Sequence, residues 1–208
     1  LKYSIRSVHA QFPNVPIYIV GDVPEWVQGV HFLKGNLRTD KPLNVWDNLV
    51  LLTAWDEVPE NIVVMMDDIY LTAPVNEFPV QYRTTLEDHI NRLGKRSDWW
   101  ARSLKHTAEL LGPDALSYEL HTPFPCRKSL MRETLSIDPG LYPPQWRTLY
   151  GNQHHTNPDK ARDVKITGYN PGATLQTPFT SSTDISFRYL RKHLDALYPT
   201  PSPYEHPR

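Results

Sequence analysis

Apolar positions in this chain follow a helical period, then a strand-like one, and then repeat the exchange. Ile5, Val8 and Phe12 recur at helical spacing between Leu1 and Phe12, and Pro13 ends the pattern, which predicts a short amphipathic helix. Ile17-Tyr18-Ile19-Val20 reads as a buried strand passing into Gly21-Asp22, and Val30 to Leu33 as a weaker strand. Leu43 to Val58 places Val45, Leu49 and Leu52 on one helical face, with Asn44 and Asn48 one turn apart on another. Beyond Pro59, the apolar run Ile62 to Met66 is rich in β-branched residues and stops at Asp67-Asp68. Such a run predicts a strand buried on both faces, as in a parallel sheet.

The pattern then loosens. Ile69 to Arg83, with Pro74 and Pro79, predicts a loop or short strands, and Thr84 to Gly94 a helix. Ser97 or Asp98 caps a helix that runs to Leu111 and ends at Gly112-Pro113. Trp99 and Trp100 are expected to anchor packing. Tyr118 to His121 is a strand candidate. Cys126 to Leu135 reads as a helix with Arg127 and Lys128 in its first turn, where cations oppose the macrodipole and either meet an anion or lie exposed. Gln145 to Asn152 is a short helix, His154-His155 an exposed pair, Val164 to Ile166 a strand and Tyr169 to Thr183 a long loop. Asp184 begins a last helix with Ile185, Leu190, Leu194 and Leu197 inward. This order predicts one α/β domain over residues 1–198 with an irregular helical C-terminal half, followed by a loosely held proline-rich tail, 199–208.

The 208 residues suffice for a single full core, and 22 basic against 23 acidic residues leave a net charge of -1. No overall field draws such a chain to DNA or an anionic membrane, although Arg38, Lys41, Arg127 and Lys128 could form a local basic cleft. The single cysteine, Cys126, excludes an internal disulfide framework. With no secretory signal and no long apolar span, a cytoplasmic protein is expected. Glycine-rich phosphate motifs and HExxH are absent, which disfavours dinucleotide dehydrogenases, P-loop NTPases and zinc hydrolases.

The sharpest chemical feature is the acid pair at the end of the apolar run. In open α/β sheets ligands bind beyond the carboxyl ends of the strands, and carboxylates there suit Mg²⁺ or Mn²⁺ on a phosphorylated substrate. Caps for the following turn are the alternative. Neighbouring strand residues point to opposite faces, so one of Asp67 and Asp68 would face the ligand while the other orients a loop or meets a sugar hydroxyl.

Several segments, in order, resemble the Stealth family of sugar-phosphate transferases and related phage glycosyltransferase-like proteins. Leu1 to Val8 (LKYSIRSV), with Ile17 to Asp22 (IYIVGD) and Pro24-Glu25-Trp26, is similar to the family's second block, and Asn61 to Val75 to its later part. His121-Thr122-Pro123-Phe124-Pro125-Cys126-Arg127 resembles the third block, and Thr180 to Asp184 more weakly the fourth. The resemblance implies a GT-A-like, mostly parallel sheet flanked by helices, with a divalent cation, Mn or Mg, at Asp67 and Asp68. It implies transfer of a sugar from a nucleotide-sugar donor to an acceptor hydroxyl on a glycan, a protein or a hydroxymethylated DNA base. It also implies a first strand, belonging to the family's first block, that is expected to be missing ahead of Leu1. His121 is the candidate base, Asp184 a helix cap and acid near the acceptor, and Arg6 and Arg127 the partners of the leaving phosphate. Asp22, Asn44, Asn48 and Arg147 complete the donor-site candidates. Transfer of a sugar 1-phosphate is the alternative reaction, and a non-catalytic carbohydrate- or nucleic-acid-binding module the alternative class.

Overall fold

The computed structural model describes residues 1–35 and 40–206, so Arg38 lies outside the described residues. Helix α1, Lys2–Gln11, leads to strand β1, Tyr18–Gly21, which pairs in parallel with β2, His31–Lys34. Helix α2, Lys41–Ala54, starts where the Asp40 carboxylate accepts the Leu43 N–H and Pro42 needs no donor. Strand β3, Asn61–Val64, delivers the chain to Asp67-Asp68 and then to β4, Ile69–Leu71, which is fully buried. Short strands β5, Gln81–Tyr82, and β6, Thr84–Thr85, precede α3, Leu86–Leu93, and α4, Trp99–Leu111, the latter capped by Asp98.

In the second half β7 is Leu116–Ser117, β8 Phe124–Arg127, α5 Lys128–Thr134 and α6 Trp146–His154. Then come β9, Asp159–Lys160, β10, Lys165–Ile166, β11, Phe179–Ser182, and α7, Asp184–Leu197. The described residues thus form a mixed α/β structure of seven helices and small, mostly short sheets. Among them, the only sheet of more than two strands has the order β10-β11-β4. No helix among the described residues is long and apolar enough to cross a membrane.

Phe124 seats the larger core cluster, meeting Trp146 and Tyr150 edge-on, with Trp46, Leu49 and Met131 around it. Tyr3, Tyr70, Leu194 and Tyr198 form a second cluster.

Several expectations change. Strand β3 is not buried on both faces: among the described residues it pairs, antiparallel, with β8 alone, and Val63 is 38% exposed. A strand is covered on all sides only when neighbours flank both edges. Here the far edges of β1 and β3 both open on a cavity of about 1370 Å³. Cys126 and Arg127 are strand, and the helix begins at Lys128, because pairing with β3 holds the chain extended to Arg127. Lys128 needs no anion, since its Nζ donates to the carbonyls of Trp55 and Val58 at 3.2 and 2.6 Å. Within the expected long loop lies the buried strand β11, whose Thr-Ser-Ser composition conceals it. Leu190 and Leu194 point inward as expected, whereas Ile185 and Leu197 are 53% and 42% exposed. The pair His154-His155 packs on Tyr150 rather than facing water.

The proline-rich tail is tied down through His206. Arg6 donates to both oxygens of Glu205, Gln28 Nε2 to the carbonyls of Pro203 and Glu205, and His206 N–H to the Trp26 carbonyl.

Candidate functional site

The register of β3 against β8 pairs Asn61 with Arg127 and Val64 with Phe124. Asp67 follows the last residue of β3 by three positions, and His121 precedes the first residue of antiparallel β8 by three. Acid pair and histidine therefore leave their strands at the same end. From the other side, the Ser182 N–H donates to the Asp68 carbonyl at 3.3 Å, which brings the start of α7 to the acids. Tyr70 lies under this gathering: burial, then the charges of Asp68, Asp67 and Asp184, push its hydroxyl up to about 12.

The two acids are placed differently. Asp67 is 75% exposed, while Asp68 Oδ2 accepts a 2.8 Å hydrogen bond from Lys165 Nζ. Lys165 also donates its backbone N–H to Asp163 Oδ1 at 3.3 Å, so one residue connects the acid pair to a third carboxylate. His121 Nδ1 lies 3.0 and 3.1 Å from the two oxygens of Asp163, and Arg83 Nη1 stands 3.7 Å from Asp163 Oδ2. Asp163, Lys165 and Arg83 carried no motif in the sequence. The only available signal was an acid just ahead of β10 and a base within it.

Arg147 is buried and does not reach toward a donor. Its Nη1 donates to the carbonyls of Leu120 and Thr122 at 3.0 and 2.8 Å, clasping the loop on either side of His121. Burial lowers its pKa, and the charges of Glu119, Asp163 and Asp68 act against that shift. The partner acid Glu119 is raised by burial, with Arg147 and Thr148 opposing.

The remaining candidates divide. Asp22, Asn44, Asn48 and Asp67 all line the cavity. A Cβ on Gly35 would stand 2.2 Å from Asn48 Oδ1, and one on Gly21, where φ is +134°, 3.4 Å from Asn48 Nδ2. Glycine at both positions lets the loop ends of β1 and β2 close on α2. Arg127 also lines the cavity, but at the opposite end of β3 from the acids, where it is paired with Glu60 at 3.1 Å. Arg6 is taken up by Glu205 and the Tyr198 carbonyl. Asp184 is exposed as the first residue of α7, and the cap is Thr183, whose capping box with Ser186 leaves the Asp184 carboxylate uncommitted to that role.

Among the described residues no group of three or more histidine, cysteine or acidic side chains is placed to hold a metal ion. The two carboxylates still fit a hard cation that takes its other ligands from phosphate and water, since Mg²⁺ commonly uses only one or two from protein. Asp67 is exposed, with the Leu1 amino group 4.0 Å from its Oδ2, and Asp68 would share its carboxylate with Lys165. The sequence matches no protein-family model and no curated protein.

Proposed function

We propose that this protein is a nucleotide-sugar-dependent transferase in which His121 takes the proton of the acceptor hydroxyl, while Asp67 and Asp68 hold a divalent cation. The observation that carries this reading is the common strand end: because β3 and β8 run antiparallel, the segment that carries the acid pair and the segment that carries His121 lie at the same end of the two strands. The cavity brings Asp22, Asn44 and Asn48 to the same space as Asp67. When bound, the cation would neutralise charge on the leaving phosphate. Lys165 adds a fixed cation on Asp68, and Arg147 fixes the loop that carries His121.

A GT-A-like, mostly parallel sheet belongs to the same proposal. Tyr18, opening β1, donates its hydroxyl to the Glu57 carbonyl just ahead of β3, whereas Gly21, closing β1, lies against Asn48 at the middle of α2. These contacts support β1 and β3 running in the same direction across the cavity. Ile5 and Val8 of α1 wall one part of it, and Leu49 and Leu52 of α2 another. A single apolar strand between the two edges would join β2, β1, β3 and β8 into one sheet, and the strand that the Stealth resemblance implies ahead of α1 would make a right-handed crossover to β1.

The test is binding and turnover of nucleotide sugars with and without Mn²⁺, by calorimetry and product analysis. Metal-dependent binding that Asp67→Asn or Asp68→Asn abolishes is the expected result. Release of nucleoside diphosphate would assign attack at the anomeric carbon, and nucleoside monophosphate attack at phosphorus. Binding of glycan or nucleic acid without any donor turnover would replace the transferase reading with that of a binding module.

A further inference from the structure

His121 is held more firmly than a base at a strand end requires. Its backbone N–H donates to Asp163 Oδ1 at 3.0 Å, while its ring nitrogen Nδ1 faces both oxygens of the same carboxylate. Asp163 is held in turn by the Lys165 N–H and faced by the Arg83 guanidinium. Burial alone would raise the Asp163 carboxyl, but the hydrogen bonds from His121 and Lys165 bring it down to about 2. The carboxylate therefore stays ionised wherever an imidazole is neutral. A carboxylate has no proton to give, so the proton between the two groups belongs to Nδ1. The His121 side chain is 39% exposed, and Nδ1 is the ring nitrogen that faces Asp163.

We infer that Asp163 is a positioning residue that locks neutral His121 in its Nδ1–H tautomer and leaves Nε2 unprotonated as the proton acceptor of the site. The lock stands on geometry alone, and its use in transfer rests on the function proposed above. In that use the hydroxyl proton passes to Nε2, and the oxygen's electron pair forms the new bond to carbon or phosphorus of the donor. The electron pair of the donor's breaking bond leaves with the nucleotide. Asp163 gains no proton, and it stabilises the imidazolium that forms.

The test reads the tautomer directly by long-range nitrogen–proton correlation of the histidine rings at about pH 8, above the ordinary imidazole range. The His121 signals are assigned by their loss in His121→Gln. A protonated Nδ1 with a bare Nε2 in the unaltered protein is expected, together with a shift toward the Nε2–H form in Asp163→Ala. An Nε2–H tautomer in the unaltered protein overturns the inference whether or not Asp163→Ala folds, and so does a folded Asp163→Ala with unchanged signals. On the transferase reading, Asp163→Asn lowers kcat by about 10²- to 10⁴-fold with little change in donor KM. An equal loss in both would mean that Asp163 only maintains the fold. The expected tautomer in a protein that transfers nothing would leave the lock standing and remove the proposed function.

Discussion

Arg6 grips Glu205 at two points, Nε to Oε1 at 2.6 Å and Nη2 to Oε2 at 2.8 Å, across 199 positions of chain. Both side chains are 7% exposed. The Arg6 guanidinium also donates to the Tyr198 carbonyl, so an arginine that reads as a phosphate ligand in sequence is instead the clasp between α1 and the proline-rich tail. Removing one partner strands the other in a dry site. Glu205→Ala should therefore cost about 3–5 kcal/mol in denaturant unfolding, while the paired replacement Arg6→Met with Glu205→Leu should recover most of that loss. A loss below about 1 kcal/mol for the single variant would place the pair with ordinary surface ion pairs.

Acid should unfold the protein in two stages. Burial first, then the charges of Arg83 and Arg92, lower His89 to about 4, and its Nδ1 shares a 2.7 Å hydrogen bond with Ser117. The unfolded chain binds a proton at this histidine near the ordinary value of about 6.5 while the folded chain does not, so stability falls as pH drops from about 6.5 to 4. Glu205 and Asp163 follow. Although burial alone would raise both, Arg6 and Ser202 hold Glu205 at about 2, and His121 and Lys165 do the same for Asp163. Their contribution is present above about pH 4 and is lost toward pH 2. Urea midpoints against pH check the order: His89→Gln should erase the first slope and leave the second. A first slope that survives the substitution would mean another group titrates there.

The elements most legible in the sequence are those whose signals are local. The Asp98 cap and Gly112 stop of α4 need only neighbouring residues, and α4 spans Trp99–Leu111 as that chemistry predicts. Ile62 to Met66 announces a strand and an acid-bearing end, but its partner does not follow from the run itself. Antiparallel β8 supplies that partner from sixty or more positions onward. His121 was visible through its motif, whereas Asp163 and Lys165 reach the site by the fold of the β10 region, with no spacing that betrays them. Strand β11 was hidden because a buried Thr-Ser-Ser segment lacks the apolar pattern that marks a core strand. Charge gave the least guidance: Arg6, Arg127 and Arg147 all looked available for phosphate, and each is committed to a carboxylate or to carbonyls.

A packing test concerns α6. A Cβ at Gly151 would stand 2.5 Å from the ring of Tyr118, which is 1% exposed and cannot swing away. Gly151→Ala should destabilise by about 1–3 kcal/mol through overpacking, in excess of the gain in helix propensity. Thermal melts of Gly151→Ala, of Tyr118→Leu and of the two combined check it. If the ring is the obstacle, Tyr118→Leu costs less when Gly151→Ala is already present than it does alone.

The open edges of β1 and β3 make the last prediction. An edge strand leaves every second backbone amide without a sheet partner, and such amides exchange by small local openings rather than by unfolding. In β3, amides turned toward β8 should exchange slowly, while those turned toward the cavity should exchange orders of magnitude faster, with the same alternation in β1. Joining an apolar strand of about five or six residues ahead of Leu1, where the chain meets the cavity wall, should slow the fast set in both strands together. Joint protection is the informative outcome, because only a strand bonded to both edges produces it. Protection confined to β1 would describe an ordinary hairpin-like extension of one sheet. Protection of neither would mean that the cavity is not a seat for a strand, and the proposal of a single mostly parallel sheet would fall with it.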